Sequence, residues 1–439
     1  DVICGYGVLI EPKVENIGVT DFSKADIFIK NGYSAAKDKI KEIRKYVHDS
    51  VPLWQVQIRR KEFVNKKAPI YFDEVNVQGL DHLQSEFLKN QLLKRKDSVS
   101  LSELKKEYFK IIADDKIRSI YPSIVYNSKT NKYAFNADVE KSENFELQFG
   151  GNISSNTFTT FFLELQYKQF DIQGLKVAAN AYLGRFYNSA TANVRMDYPG
   201  EKPFYQEVTI GFNNFNYFNT SQMFFGDETP SYMKKNENFL NFNFSFPSKS
   251  TNKAKLDFGI NIASLSDSYY QTHNFTRLDT YDENSMDMIS VYIQREFNTL
   301  DKPQFATSGQ KLAFQGLYVN GFERNTPGST SPDLNAQSKS HNWFTLRANY
   351  ENYAPISKKW RMGISGDAAF SNQQVSATYI ASKLRSPAFL PLPQSQAIFI
   401  RNYRDYNYIA LGWKNIFKVY KSVDFRIETY GYLPFTPIL

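Results

Sequence analysis

The chain has 439 residues, enough for two or three domains, and 16% of them are aromatic. Lys and Arg outnumber Asp and Glu by 8, spread about evenly along the chain, so no basic stripe points to a nucleic-acid partner. Cys4 is the single cysteine, which excludes an intrachain disulfide, and no apolar run is long enough for a transmembrane helix at a mean hydropathy of −0.49. His48, His82, His273 and His341 are scattered without metal-ligand spacing and read as surface or loop residues, so neither a metal nor a cofactor is expected.

Residues 1–47 read as the tail of an α/β domain. Val8-Leu9-Ile10 is a short apolar strand followed by Glu11-Pro12, and Phe22, Ala25, Phe28, Ile29, Ala36, Ile40, Ile43 and Val47 recur at helical spacing. The strings Leu9-Ile10-Glu11-Pro12, Asp21-Phe22-Ser23-Lys24-Ala25-Asp26 and Gly32-Tyr33-Ser34-Ala35-Ala36 resemble the C-terminal end of bacterial patatin-like phospholipase domains. That resemblance implies acyl-ester hydrolysis by a Ser in a G-x-S-x-G elbow and an Asp in a D-G-G/A motif. The chain holds neither motif. Gly363-Ile364-Ser365-Gly366 lacks the elbow spacing and falls in a predicted strand, so no catalytic residue is assigned and the implied active site lies upstream of residue 1. A start inside a domain and an end just after a strand, at Phe435-Thr436-Pro437-Ile438-Leu439, lead to the expectation of a fragment.

Residues 48–67 are expected to be a linker, with Pro52 and the basic cluster Arg59, Arg60, Lys61, Lys66 and Lys67. Residues 68–141 then read β-α-α-β-β. A strand over Ile70–Val77 ends at Gly79, and a helix covers Glu86–Leu93. A second helix opens on a capping box, Ser100 with Glu103, and turns Leu101, Leu104, Tyr108, Ile111 and Ile112 inward. Ile117–Tyr126 and Tyr133–Val139 form the closing pair. This order, with Val75-Asn76-Val77-Gln78-Gly79 at its opening and Ala137-Asp138-Val139-Glu140 at its exit, resembles a single polypeptide-transport-associated (POTRA) domain.

From residue 142 onward the dominant signal is an alternation of period two. Phe161, Leu163, Leu165 and Tyr167 oppose Phe162, Glu164, Gln166 and Lys168. Leu240, Phe242, Phe244 and Phe246 oppose Asn241, Asn243 and Ser245, and Leu256, Phe258, Ile260 and Ile262 oppose Asp257, Gly259 and Asn261. Strands of about ten residues match a tilted crossing of hydrocarbon. Of the 70 aromatic residues 54 follow residue 142, as interfacial girdles require. The fold class is therefore mainly β: a transmembrane antiparallel β-barrel, with a soluble β-sandwich as the alternative. About thirteen strands are counted, near 144–152, 157–168, 174–186, 190–198, 204–217, 238–246, 254–265, 286–297, 309–322, 341–352, 359–371, 407–419 and 422–434.

The longest loop, 372–406, lies between strands eleven and twelve and holds Ile400-Arg401-Asn402-Tyr403. This resembles the BamA-like superfamily of sixteen-stranded barrels, whose loop at this place enters the lumen with a V/I-R-G-F/Y motif; Asn402 departs from its Gly. The resemblance implies an acidic partner for Arg401 on strand thirteen, Glu428 or Asp424, and a barrel short of about three strands.

Taken together the segments resemble the outer-membrane patatin-like phospholipase family. That resemblance implies a barrel in the outer membrane of a Gram-negative bacterium, a periplasmic POTRA-like domain, contact with outer-membrane lipids, and a homodimer as one of the partner arrangements open to it. The chain would be the anchoring part of a lipid acyl hydrolase. The rival reading is a non-enzymatic assembly or translocation factor whose POTRA-like domain handles periplasmic polypeptides; a passive porin ranks third.

Overall fold

The computed structural model describes residues 7–14, 25–47, 51–65, 70–152, 160–170, 173–198, 202–217, 232–248, 253–272, 274–392, 395, 399–420, 423–435 and 437–438. Cys4, His48, Lys66, Lys67, His273 and the Asp21-Phe22-Ser23-Lys24 string lie outside them. The chain divides into a unit of residues 1–70 and a unit of residues 71–439.

The first unit carries three helices, α1 (Ala25–Asp38), α2 (Ile40–Tyr46) and α3 (Leu53–Asn65). None buries a residue. Two expectations change here. Residues 7–14 form no strand, and the expected linker is helical: Pro52, which suits the mouth of a helix, accepts from the N–H of Gln55, and a run of good helix formers follows.

The second unit opens with an α+β layer. It comprises β1 (Tyr71–Gln78), α4 (His82–Leu93), β2 (Val99–Ser100), α5 (Leu101–Ile112), β3 (Ile117–Asn127) and β4 (Lys132–Lys141). Sheet order is β2-β1-β4-β3, with β1 and β4 parallel. Phe72, Val75, Leu88, Leu92, Leu104, Ile111, Phe135 and Val139 form the core between sheet and helices. The capping box is realised. Ser100 accepts from the N–H of Glu103, and Glu103 accepts from the N–H of Ser100 at 3.0 Å. Hydrogen bonds from Lys96 and from Ser100 hold the Glu103 carboxyl down at about 2. Ile112, expected inward, is exposed at the last turn. Gly79 is required where β1 turns into α4, because its φ is +85° and a Cβ would run into the carbonyl oxygen of Val139.

The remainder is one antiparallel meander of thirteen strands, the number expected. They are β5 (Phe145–Asn152), β6 (Thr160–Gln169), β7 (Gly174–Gly184), β8 (Tyr187–Tyr198), β9 (Phe204–Tyr217), β10 (Met233–Pro247), β11 (Ala254–Tyr269), β12 (Asp282–Asn298), β13 (Gly309–Thr326), β14 (Gln337–Pro355), β15 (Trp360–Ser371), β16 (Tyr408–Tyr420) and β17 (Val423–Pro434). Every strand pairs with its chain neighbours, and among the described residues β5 and β17 do not pair with each other.

Register places Phe145, Tyr167, Val177, Val194, Val208, Phe242, Ile260, Val291, Tyr318 and Phe344 side by side in one row across ten strands. Neighbouring rows repeat the pattern, and Phe258, Ile262, Ile289, Ile293, Leu346 and Ile364 are all exposed. An outward apolar band with a polar inner face is what lipid demands of a barrel wall.

The α+β layer is fixed at the end of the meander where β5 begins, called here the near end. Phe170, in the turn after β6, enters the α+β core, and its carbonyl accepts from Gln84 Nε2 at 2.7 Å. Lys116 reaches Asp197 of β8 at 2.8 Å, while Asp115 pairs with Lys168 at 3.4 Å and Lys176 at 3.3 Å. Burial pushes the Asp115 carboxyl up, but Lys176, Lys168 and Lys116 together outweigh it, and the group sits below the ordinary carboxylate range. Lys116 is shifted up: burial lowers it, and Asp114 and Asp197 more than restore it.

Candidate functional site

The inner face of the wall is occupied by the segment between β15 and β16. Its helix α6 (Tyr379–Arg385) starts on Thr378, whose hydroxyl accepts from the N–H of Ala381 at 3.1 Å. Ile380, Ala381 and Leu384 are buried against Tyr217 of β9, Met233 of β10 and Tyr269 of β11, with Phe186 and Phe399 completing the cluster. A helix this short is marginal alone. Its apolar side against the aromatic ring of residues, and its cap, hold it in place.

Polar groups then register the segment on the wall. The Arg385 guanidinium lies 3.0 Å from the Asp267 carboxylate, with side-chain exposures of 3% and 0%. The contact is ionic rather than a well-aligned hydrogen bond. Both Asp267 oxygens and Arg385 Nε and Nη1 lack a hydrogen-bond partner, while Nη2 donates to Asn284 Oδ1 at 3.1 Å. Glu323 on β13 accepts from the Ala377 N–H at 3.1 Å and from Asn284 at 2.7 Å, and its other oxygen is 2.7 Å from His341 Nε2. Tyr269 and Thr378 share a hydroxyl hydrogen bond of 2.5 Å. Within the segment, Lys383 donates to the Arg404 carbonyl at 2.9 Å and pairs with Asp405 at 3.4 Å.

The residues singled out from sequence fare differently. Ile400 flanks, and Arg401, Asn402 and Tyr403 form, a short 3-10 turn within this segment. The Tyr403 ring packs near Phe389 and Tyr432, at 5.9 and 5.5 Å. Asn402 is not among the residues with positive φ, so this turn needs no glycine. Arg401 is half-buried, and among the described residues no hydrogen bond or ion pair joins it to Glu428 or Asp424. Asp424 is exposed, and Glu428 is taken by others. Arg426 donates to Glu428 Oε1 from Nε and Nη2 at 2.9 and 2.7 Å, and the Tyr430 hydroxyl donates to Oε2 at 2.6 Å. The reason is register: residues two apart on β17 share the inner face and satisfy one another first. His341, read as a surface residue, is buried. Ser365 lies mid-strand on β15 opposite Glu351 and Gly412, not on a turn.

The turn joining β12 to β13 at the near end also folds inward. Ala306 and Leu300 pack on Tyr353 of β14 and Ile416 of β16. The Asp301 carboxylate accepts from the N–H groups of Thr307 and Ser308 and from the Thr307 hydroxyl. Arg426 Nη1 donates to the carbonyls of Phe305 and Ala306 at 3.1 and 2.9 Å. A cavity of about 360 Å³, bordered by Phe305, Leu390, Pro391, Arg426 and Tyr430, separates this turn from the long segment. A second, of about 690 Å³, lies beneath α6 and includes Lys235, Glu237, Arg385 and Arg404. Among the described residues no three His, Cys, Asp or Glu side chains gather as metal ligands.

No protein-family profile matches the sequence, and no curated protein does. Among solved structures, BamA from Haemophilus ducreyi lacking POTRA domains 1–3 superposes with a TM-score of 0.53, at 11% identity, over 79% of this chain and 67% of that one. The fold is of the BamA type. CdiB from Acinetobacter baumannii aligns with a TM-score of 0.45 at 10% identity over 94% of this chain and 77% of its own, and CdiB from Escherichia coli with 0.42 at 9% over 80% and 62%. Nothing in these comparisons points to a patatin-like hydrolase.

Proposed function

We propose that this chain is a non-enzymatic outer-membrane protein of the BamA type that assembles or translocates polypeptides, with the α+β layer acting as a periplasmic POTRA-like domain. The observation that carries the reading is the α+β layer held at the near end of a BamA-type wall with its eleven-residue strand β3 at the sheet edge. An open edge offers a row of backbone donors and acceptors to an extended chain, interrupted only at Pro122, which has no N–H. Tyr121, Ile124, Val125 and Tyr126 stand exposed along it to contact side chains of that chain. Membrane lipids would meet the outward apolar band.

The test is a photoreactive side chain at Tyr121 in the full chain, reconstituted in vesicles and offered an unfolded outer-membrane polypeptide. Adducts well above those from the same probe at Lys89, on the helical face, are expected; equal yields refute the reading. A second reading, the membrane anchor of a lipid acyl hydrolase, is favoured by the strings around Leu9–Pro12 and Gly32–Ala36 alone, and it requires an upstream segment bearing the Ser and Asp motifs.

A further inference from the structure

The near-end turn and the long far-end segment touch opposite ends of one column of three side chains, the turn at Arg426 and the segment at Tyr430. Arg426, Glu428 and Tyr430 alternate along the inner face of β17, so the column spans roughly 13 Å at about 3.3 Å per residue. At its lower end Arg426 holds the carbonyls of Phe305 and Ala306. At its upper end the Tyr430 ring lies 5.9 Å from Phe389, and its hydroxyl, besides serving Glu428, is 3.3 Å from the Pro391 carbonyl. Glu428 sits between and accepts from both neighbours.

The turn is held in a conformation it would not choose alone. Phe305 has φ of +53°, a costly setting for an aromatic residue, which persists only where surrounding contacts over-determine it. Those contacts are the Asp301 clamp, Arg426, and Arg361 of β15, which donates to Thr307 Oγ1 at 2.5 Å. Withdrawing the turn deprives Arg426 of two acceptors in a half-buried site. Withdrawing the long segment frees the Tyr430 ring and loosens its hydroxyl from Glu428. Each loss weakens the charged link on which the other contact depends, because partly satisfied buried networks are less stable than complete ones.

We propose that the β12–β13 turn and the β15–β16 segment are two closing elements of the inner face, coupled through Arg426, Glu428 and Tyr430 so that release of one promotes release of the other. The coupling is reciprocal, as any linkage of two equilibria must be. It goes beyond the functional reading above and holds whatever traverses the inner face.

The experiment uses the full chain in vesicles with Cys4→Ser and one buried reporter, either Ala306→Cys on the turn or Ser386→Cys on the long segment, and measures maleimide labelling rates. Asp301→Ala loosens only the turn directly, and Thr378→Ala only the long segment. Each is expected to speed labelling at both reporters, by tenfold or more at its own and severalfold at the distant one, and Glu428→Gln is expected to abolish the distant effect while raising both baselines. Acceleration confined to the mutated side overturns the proposal. Where Glu428→Gln loses its heat-modifiable barrel band on a gel, Tyr430→Phe replaces it, retaining the ring and removing the hydroxyl; distant effects that persist unchanged in it equally overturn the coupling.

Discussion

The α+β layer and the thirteen-stranded wall solve the same problem with opposite faces. In the layer, β1 and β4 turn Phe72, Val75, Phe135 and Val139 into a dry core, and polar side chains such as Asn76 and Asn136 meet the outside. In the wall the apolar rows are the exposed ones, while Asp267, Asp282, Asn284, Glu323, Asn325 and His341 are among the most buried residues of the protein. Burial therefore carries different physics in the two places. The core of the layer is stabilised by area removed from water, and the inner face of the wall by the ion pairs and hydrogen bonds that its buried polar groups make. A cavity harms the first; an orphaned charge harms the second.

The largest effect is expected from removing one member of the buried ion pair. Arg385→Ala leaves Asp267 uncompensated, and a loss on the order of 3–5 kcal/mol is expected, read as a lower urea midpoint for the folded barrel in detergent. A matched Arg385→Met, Asp267→Leu double variant should recover much of it; no difference between single and double variants would show that the inner face is solvated rather than polar-packed. In the layer the counterpart is Leu88→Ala, expected to cost about 2–5 kcal/mol through transfer and cavity terms and to leave the barrel transition in place.

A charge on the outer row tests the lipid assignment directly. Ile260→Arg, in the middle of the band, is expected to destabilise the inserted barrel by about 2–4 kcal/mol, measured by reversible unfolding from vesicles. The same substitution at Ser266, on the same outward face but beyond the band, should cost much less. Ser100→Ala removes the reciprocal cap of α5, for roughly 1 kcal/mol in the thermal transition of the layer.

The smallest expected effect is at the junction of the two regions. Asp115 titrates below its unfolded value of about 3.9, so its contribution is full at neutral pH and is lost as pH falls through the folded value, in the range below about 4. Because Asp115 is nearly half-exposed, the effect is a modest loosening of the layer from the wall. Hydrogen exchange around residues 112–116 should quicken there before the core of α4 does, and Asp115→Asn should remove that pH dependence.

The comparison also explains what could be read in advance. Period-two alternation separates two faces of a strand whatever surrounds it, so the outer row through Phe242, Ile260 and Val291 and the thirteen strands were legible, as was the Ser100–Glu103 box with its fixed spacing. The inner face was not. Parity places Asp267 and Glu323 inward along with many other polar residues, but nothing local distinguishes a carboxylate bathed in water from one sealed beneath a returning loop. Arg401 drew attention through a motif, whereas Arg385, inside a seven-residue helix flanked by Ile380, Ala381 and Leu384, holds the buried pair. An amphipathic reading of 379–385 offered the available signal: two cations, Lys383 and Arg385, on a short helix that also carries Ile380, Ala381 and Leu384 need waiting anions, and find them in Asp405 and Asp267. The helical character of 53–65 was masked by its lack of an apolar stripe, the usual mark of a packed helix.

The meander has one further consequence, for the order in which the protein is built. Among the described residues all thirteen strands pair only with chain neighbours, so each hairpin can be added to the one before at small loop-closure cost. The inward-folded segments depart from this: the β12–β13 turn meets Arg426 about 120 residues on, and in the returning segment Thr378 meets a partner 109 residues back and Arg385 one 101 residues back. The returning segment's contacts have nothing to grip until β9 to β13 stand together. Seating of α6 is then a late kinetic event that records completion of the wall beneath it, and a time course of Ser386 protection would mark when assembly of that region ends.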